Sequence, residues 1–250
     1  LLQCQGIARD SRNGLAYEHQ EPVTTVYDRP CERVLFWPER DANPFFHLFE
    51  CLHMIAGRQD VAWLATYNTR IKDYSDDGER FHGAYGHRWR FAFQEDQLVT
   101  IVNLLRKDPH SRRAVLQMWH GPLDLGTRSA DLPCNTHVYF KIRDGALLMT
   151  VCCRSNDVVW GAYGANAVHF SFLQEYLADK IGVAVSNYTQ VSDSFHADAG
   201  VLEKVLGLPQ LQPCPYEIGM VTPYPLNATA EGWDQDLLSV FSNRTVDFRT

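Results

Sequence analysis

Residues 137–153 have the sequence HVYFKIRDGALLMTVCC, and this stretch carries the clearest secondary-structure signal in the chain. Two strand-like runs, 137–143 and 146–153, flank the dipeptide Asp144-Gly145. Asp-Gly between such runs is typical of a two-residue β-hairpin turn, because both central residues of that turn need positive φ angles. The stretch therefore predicts two antiparallel strands, around which the rest of the fold can be placed.

The segments on either side of the hairpin predict further helices and a strand. Residues 44–64 are helical in character with an interruption at Gly57, 98–106 form an amphipathic helix, 114–119 form a short apolar strand, and 165–181 form a long helix. No internal repeat or linker divides the chain, so we expect one domain over residues 1–250. Its predicted class is α/β (α+β), with a large mixed sheet flanked by helices. The sequence after residue 209 has no pattern from which we can predict its secondary structure.

The composition limits the classes of function. With 45% hydrophobic residues and a formal net charge of −7, the chain can build a large core and is not suited to broad binding of nucleic acid or anionic membranes. No apolar run reaches the about 18 residues that a membrane span needs. Seven cysteines without CxxC spacing indicate reduced thiols in a cytoplasmic protein, with no metal site.

Cys134 is the candidate nucleophile. A free cysteine is most often a buried small hydrophobe, and Cys51 and Cys152 match that interpretation because each lies within an apolar run. Cys134 instead follows a Leu-Pro dipeptide at a strand entry and has polar neighbours on its other side. A thiol at such a position can reach a cleft, where nearby cations activate it.

Arginines at turns are the candidates for anion binding. Arg112 and Arg113 directly precede a predicted strand, Arg154 and Ser155 follow the second hairpin strand, and Arg12 lies in a turn-like SRNG element. Such residues are more often solvated surface. At turn-to-strand junctions, however, planar guanidinium groups can converge on one phosphate. A local phosphate site is therefore compatible with the acidic composition.

Three further polar residues have both an ordinary and a functional interpretation. Glu50 lies in an apolar helical stretch, where it is either on the solvent side or buried with a partner. If it is buried, desolvation raises its pKa and suits it to proton transfer. Tyr85 and His196 lie in loop-like segments, where such residues are more often structural than catalytic.

Taken together, these residues resemble the thymidylate synthase family, including its pyrimidine hydroxymethylase branch. The motifs occur in family order: SRNG (11–14), the helix with Glu50 and VAWL (61–64), GAYGHRWR (83–90), DPHSRR (108–113), LPCN (132–135), RSND (154–157), and a loop at 161–166 that opens a helix. The ordered set is much more specific than any single motif. It implies a thymidylate synthase-like fold and a twofold dimer.

The resemblance also implies a reaction. Cys134 attacks carbon 6 of a pyrimidine nucleotide, and carbon 5 then takes a one-carbon unit from 5,10-methylenetetrahydrofolate. Glu50 organises water and proton transfers, and Tyr85 helps to remove the carbon 5 proton. Carbon 5 of a pyrimidine is a poor nucleophile by itself, and temporary thiolate addition at carbon 6 solves that problem.

The resemblance further implies the binding residues. The nucleotide phosphate is bound by Arg12, Arg154 and Ser155, and by Arg112 and Arg113 reaching across the dimer interface. Asn166 contacts the pyrimidine edge and His196 contacts the sugar. The folate contacts Asp157, Lys72 and Trp160.

Departures from the family pattern favour hydroxymethylation over methylation. Lys72 stands where the synthases carry a tryptophan that shields the exocyclic intermediate, and a polar residue there admits water. Asn135 follows the nucleophile in place of the usual histidine. The segment RSNDVVWG (154–161) is closer to phage deoxycytidylate hydroxymethylase than to ordinary synthases.

Two other departures concern the substrate. Asn166 reaches the base-reading position only through a one-residue insertion, and otherwise Ala165 occupies that position. An asparagine amide suits uracil and, after a flip, cytosine. Asp198 stands where the family carries a sugar-binding tyrosine, and its carboxylate can accept hydrogen bonds from ribose hydroxyls. We therefore expect a 5-hydroxymethyl nucleotide as product, with CMP or dCMP favoured over dUMP.

Three alternatives stay open on sequence alone. The first is a thymidylate synthase that methylates dUMP, and the second is a catalytically silent relative that binds nucleotides or RNA. The third is a cysteine hydrolase that uses Cys134 and His196. The intact set of Cys134, Glu50 and Tyr85 argues against the silent relative, and the lack of a recognisable nucleophile turn argues against the hydrolase.

Overall fold

One mixed β-sheet organises the part of the chain that the computed structural model describes, residues 1–11, 14–209 and 213–242. Its strand order is β1-β2-β7-β6-β5-β4, and β3 also pairs with β7. The strands are β1 (Gly6–Ser11), β2 (Gly14–His19), β3 (Val23–Tyr27), β4 (Val115–Gln117), β5 (Asn135–Arg143), β6 (Ala146–Asp157) and β7 (Ala184–Asp198). The predicted large mixed sheet is confirmed.

Helices flank this sheet. They are α1 (Leu2–Gln5), α2 (Pro44–Ile55), α3 (Val61–Ala65), α4 (Tyr85–Arg90), α5 (Gln97–Lys107), α6 (Gly121–Asp124), α7 (Ala165–Ile181), α8 (Ala199–Leu206) and α9 (Trp233–Ser242). Short helical turns cover Pro38–Arg40, Thr69–Tyr74 and Val158–Ala162. No helix in the described ranges is long and apolar enough to cross a membrane.

The predicted hairpin is confirmed as β5 and β6. Asp144 and Gly145 form the turn with φ angles of 50° and 74°, the left-handed conformation that the Asp-Gly dipeptide indicates. Val138 pairs with Val151, and both are fully buried. The alternation along each strand therefore directs one set of side chains into the core and brings the start of β5, at Asn135, beside Cys153 on β6.

A parallel crossover completes the centre of the sheet. β6 continues through α7 into β7, and β6 and β7 pair in parallel. α7 ends at Gly182 with a φ of 90°, in agreement with the predicted helix of 165–181. β7 is 15 residues long. Its buried Gln190 and Ser192 obscure the apolar alternation of a strand, which explains why the sequence pattern does not reveal it.

The helices nearest the site begin and end at recognisable signals. The Asn43 side chain accepts a hydrogen bond from the Phe46 N–H at 3.0 Å and caps α2. The predicted interruption of 44–64 occurs at Gly57, whose φ is 73°. Asp96 caps α5 in the same way, through the N–H groups of Leu98 and Val99.

The two faces of the sheet have different surroundings. α5 and α7 pack against the face that includes Val138 and Val151. On the opposite face, Val26, Val115 and Tyr139 are 52%, 42% and 47% exposed. The two sheet faces therefore differ in how well they are covered.

Candidate active site

A cavity of about 1000 Å³ lies between α2, α4, the start of β5 and the start of α7. Six of the residues that the sequence analysis singled out line it: Glu50, Tyr85, Cys134, Trp160, Asn166 and the alternative base-reading residue Ala165. A volume of this order matches a site for small molecules. The fold thus brings together a thiol, a carboxylate, a phenol and an amide from four separate segments of the chain.

The loop that carries Cys134 is held by Arg154. The Arg154 Nε donates to the Pro133 carbonyl at 2.8 Å and its Nη2 donates to the Leu132 carbonyl at 3.2 Å. The same guanidinium group lies 5.3 Å from the centre of the Trp119 ring. Arg154 therefore places a positive charge beside the nucleophile loop and fixes the backbone that leads into Cys134.

Tyr85 is joined to the same loop. Its hydroxyl oxygen lies 3.1 Å from the Cys134 N–H nitrogen, 3.2 Å from the Asn135 N–H nitrogen and 2.8 Å from the Asn135 side-chain nitrogen. Burial raises the pKa of Tyr85, so the phenol stays protonated at neutral pH. At Gly86, an added Cβ would lie 2.1 Å from the Met54 carbonyl oxygen, so only glycine lets α4 pack this closely on α2.

Glu50 has a partner that the sequence analysis did not identify. Its Oε2 lies 3.2 Å from the Nε2 of His169 on α7, and the two side chains are 14% and 5% exposed. The His47 ring lies 6.1 Å from the His169 ring, centre to centre. All three line the cavity. Of the two predicted alternatives for Glu50, on the solvent side or buried with a partner, the structure shows the second.

A row of hydrogen-bonded amides extends from the cavity into the sheet, and we call Asn135, Asn166, Asn156 and Gln190 the amide chain. Asn135 Nδ2 donates to Asn166 Oδ1 at 3.1 Å, and Asn166 Nδ2 donates to Asn156 Oδ1 at 3.0 Å. Asn156 Nδ2 donates to Gln190 Oε1 at 2.7 Å. Asn135, Asn156 and Gln190 are at most 1% exposed, whereas Asn166 lines the cavity.

Four predicted binding residues lie together at the ends of β6 and β7, outside the lining of the cavity. Ser155 pairs in register with Ser194, and Asp157 pairs with His196. Asp198 ends β7. The Asp157 carboxylate accepts hydrogen bonds from two backbone N–H groups of the turn that carries Trp160. The parallel pairing therefore gathers these residues where the two central strands β6 and β7 end.

Arg40 is a second residue that sequence reasoning missed. Its guanidinium group lies 4.5 Å from the centre of the Trp160 ring and donates to the Val159 carbonyl at 2.6 Å. Burial lowers the pKa of Arg40, and the nearby Asp157 charge acts in the opposite direction. Arg40 and Trp160 both line the cavity. Neither a motif nor a periodic pattern marks Arg40, because it comes from an irregular segment.

Other predicted site residues lie away from the cavity. Arg112 and Arg113 are exposed before β4, at the edge of the sheet. Lys72 is exposed in the turn Thr69–Tyr74, and Ile71 and Tyr74 from that turn line the cavity in its place. Lys72 itself is not among the residues that line the cavity, and its contact with the folate stays a prediction. Arg12 lies outside the described residues.

His169 could have been recognised from the sequence in part. It lies three residues after Asn166, so both side chains are on one side of α7. Gln174, Glu175 and other polar residues break the apolar pattern of the same helix and hide this signal. In the described ranges, no group of three His, Cys, Asp or Glu side chains is placed to hold a metal ion.

Comparison with known proteins places this geometry in a family. The profile described as thymidylate synthase matches residues 42–218. A deoxyuridylate hydroxymethyltransferase of Pseudomonas phage M6 is 53% identical over 96% of this chain and 72% of its own length. One from Bacillus phage SP01 is 38% identical over 70% of this chain, which spans about half, 49%, of that protein. A putative thymidylate synthase of Methanothermobacter marburgensis is 32% identical over 75% of this chain and 80% of its own length. The chain belongs to the thymidylate synthase family, in the branch that includes the pyrimidine hydroxymethylases.

Proposed function

We propose that this protein transfers a one-carbon unit from methylenetetrahydrofolate to carbon 5 of deoxyuridylate and releases the 5-hydroxymethyl nucleotide. The observation that carries the proposal is the convergence of Cys134, Tyr85 and Glu50 on one cavity in a chain of this family. Two similar phage proteins are named deoxyuridylate hydroxymethyltransferases, which favours uracil over the CMP or dCMP that the sequence analysis favoured.

Cys134 would act first. Its thiolate adds to carbon 6 of the pyrimidine, and the electrons of the 5,6 double bond move towards the carbonyl at carbon 4. Carbon 5 becomes nucleophilic as a result. Arg154 supports this step by holding the two carbonyl groups that precede the thiol.

The folate would supply a methylene group at the oxidation level of formaldehyde to carbon 5. Loss of the carbon 5 proton would then expel tetrahydrofolate, unoxidised, and leave an exocyclic methylene group. Tyr85 lies at the nucleophile loop and, with its hydroxyl protonated, is assigned to holding a water molecule that takes the carbon 5 proton. Glu50 and His169 are assigned to water, because their hydrogen-bonded pair opens into the cavity. The pair can remove a proton from a water molecule as its oxygen attacks the exocyclic carbon. The 5,6 double bond then re-forms and the Cys134 thiolate leaves.

The remaining binding assignments follow the family pattern. Arg12, Arg154 and Ser155 bind the phosphate, Asn166 binds the base edge, and His196 and Asp198 contact the sugar. Trp160 and Asp157 bind the pterin ring, with Arg40 stacked on Trp160. The exposed Lys72 stands in place of a shielding tryptophan, so the folate side of the cavity stays open to water.

A dimer is part of the proposal. The poorly covered sheet face would pack on the same face of a second copy, and the single domain of residues 1–250 would be one half of that dimer. Arg112 and Arg113 are exposed at the edge of this face, from where they can add positive charge to the phosphate site of the other subunit.

Incubation of the pure protein with methylenetetrahydrofolate and dUMP, dCMP or CMP tests the function. We expect release of tritium from carbon 5 of dUMP and a product heavier by one hydroxymethyl group, without the absorbance increase of dihydrofolate. Dihydrofolate formation with dUMP would instead identify a thymidylate synthase, and product from dCMP or CMP would restore the cytosine prediction.

The variant Cys134→Ala is the matched control for this assay. It should release no tritium above background, since carbon 5 is not activated without the thiolate. No tritium release from any nucleotide by the unmodified protein would identify a catalytically silent relative.

A further inference from the structure

Two histidines accompany Glu50 in the cavity, and only one of them is enclosed. His47 and Glu50 are three residues apart on α2, so their side chains lie on one side of that helix. His169 comes from α7, and its side chain is 5% exposed. His47 is only half-buried, and all three side chains line the cavity. The group therefore extends from an enclosed imidazole to one that solvent can reach.

The spacing of these side chains suits the movement of a proton in two steps. Glu50 Oε2 and His169 Nε2 are 3.2 Å apart, within reach of a direct hydrogen bond. The ring centres of His169 and His47 are 6.1 Å apart, with the ring planes at 85° to each other. One water molecule can bridge ring nitrogens across such a gap. A continuous path thus connects Glu50 with the half-buried His47.

The surroundings of His47 keep it ready to receive a proton. Burial lowers the pKa of His47, the nearby His169 and Arg40 act in the same direction, and Glu50 acts in the opposite direction. His47 is therefore neutral at neutral pH. A neutral imidazole can accept a proton at one ring nitrogen and release the proton of the other, so it passes protons on.

The proposed reaction needs an outlet for a proton. When water attacks the exocyclic methylene group, a carbon–oxygen bond forms, the electrons of the exocyclic double bond move towards the carbonyl at carbon 4, and one water proton is released. The departing Cys134 thiolate does not take up this proton. Tetrahydrofolate leaves with two new N–H bonds, and carbon 5 accounts for only one of these protons. The proton released by water balances the other, which is drawn from solvent, so it must return to solvent in each turnover.

We propose that Glu50, His169 and His47 form a proton relay, in which His47 returns to solvent the proton that the attacking water releases. Glu50 takes the proton, His169 passes it on, and His47 delivers it to the buffer. His47 acts through His169 and does not contact the reacting atoms. This inference rests on the proposed function, because it requires that water attacks the exocyclic carbon.

The test follows a single turnover in weak buffer at neutral pH, with the protein in excess over dUMP tritiated at carbon 5. In His47→Ala, we expect the hydroxymethyl product to form about tenfold more slowly, a smaller effect than the 10²–10⁴-fold of a group that transfers a proton to or from the reacting atoms. Tritium release should be unchanged, since carbon 5 loses its proton before water attacks. Added imidazole should restore the rate of product formation, and sodium chloride at equal ionic strength should not. His110→Ala, exposed and outside the cavity, should behave like the unmodified protein.

A second variant, His47→Gln, separates proton transfer from packing. Glutamine keeps a polar side chain at this position but cannot take up a proton, so it should show the same slow product formation with normal tritium release. Circular dichroism establishes that each variant is folded, and His47→Gln decides the matter if His47→Ala is not.

Three results would overturn the relay and leave the proposed function intact. They are normal product formation in the folded variants, an equal fall of tritium release and product formation, and no rescue of folded His47→Ala by imidazole. If the unmodified protein formed no hydroxymethyl product from dUMP, the proposed function would be wrong and the relay with it.

Discussion

Two clusters of polar and charged side chains in this protein have opposite surroundings. The Arg88–Asp124 pair is enclosed: Arg88 is 4% and Asp124 1% exposed, and the Asp124 carboxylate also accepts hydrogen bonds from His82 and the His120 N–H. Arg88 donates further to the carbonyls of Met118 and His82. The Glu50–His169 pair shares a single contact at 3.2 Å and opens into the cavity.

This difference indicates that the enclosed cluster contributes to stability and that the cavity-facing pair is available for chemistry. Every oxygen of Asp124 is engaged, so the enclosed cluster has nothing to offer a ligand, and its loss exposes unpaired buried charge. Glu50 and His169 keep hydrogen-bonding positions that a water molecule or substrate can use. The extent to which the partners of a buried polar group are already engaged thus indicates its role better than burial alone.

The largest effect on stability is expected from the enclosed cluster. Asp124→Ala should lower the free energy of unfolding by about 3–5 kcal/mol, because it leaves the Arg88 charge buried without its partner. Urea denaturation of the variant measures this loss. Asp193→Asn, an exposed position on β7, should change the value by no more than about 0.5 kcal/mol. Equal values for both variants would contradict a stabilising role of the cluster.

The cavity-facing pair should show the reverse behaviour. His169→Gln should slow formation of the hydroxymethyl product by about 10²–10⁴-fold, the range of general acid–base catalysis, with little change in Tm. Because Cys134 still activates the base, release of carbon 5 tritium should fall much less than product formation, and an added thiol should compete with water for the exocyclic carbon. His110→Gln, exposed and outside the cavity, is the matched control. If tritium release and product formation fell equally, the proposed action of His169 on the attacking water would be contradicted.

Tyr85 has both properties, because its hydroxyl is hydrogen-bonded to the nucleophile loop and its side chain lines the cavity. Tyr85→Phe removes the acceptor of two backbone N–H groups at the nucleophile loop, so we expect a loss of about 1–3 kcal/mol of stability. It should also reduce tritium release, since the phenol is assigned to the carbon 5 proton. Thermal unfolding and the tritium assay measure the two effects on one sample. An unchanged rate with lowered stability would leave Tyr85 a purely structural residue.

The smallest expected effect is a pH dependence from the enclosed cluster. Burial alone would raise the pKa of Asp124, but hydrogen bonds from Arg88, the His120 N–H and His82 outweigh it and bring the pKa to about 2. A carboxyl group with a lowered pKa contributes stability above its unfolded pKa and loses it as the pH falls towards the folded value. We expect the free energy of unfolding to fall by about 2 kcal/mol between pH 4 and pH 2 through this group. The decline should be smaller in Asp124→Asn, as measured by urea denaturation across that range.

The local elements and the ordered motifs could be predicted from the sequence. The β5–β6 hairpin follows from Asp144-Gly145, α7 ends where Gly182 predicts, and the family was recognisable from motifs in chain order, because turn chemistry and periodicity are local properties. The same motifs identified Cys134, Glu50 and Tyr85, which the cavity brings together.

How these residues are paired follows from the tertiary structure. His169 and Arg40 join the site through contacts between segments far apart in the chain. β7 joins the sheet although it carries polar residues, and one of them, Gln190, is hydrogen-bonded within the amide chain. Lys72 is exposed, and its contact with the folate stays a prediction. Hydrogen-bond partners and side-chain directions depend on packing between distant elements, and no local pattern in the sequence encodes them.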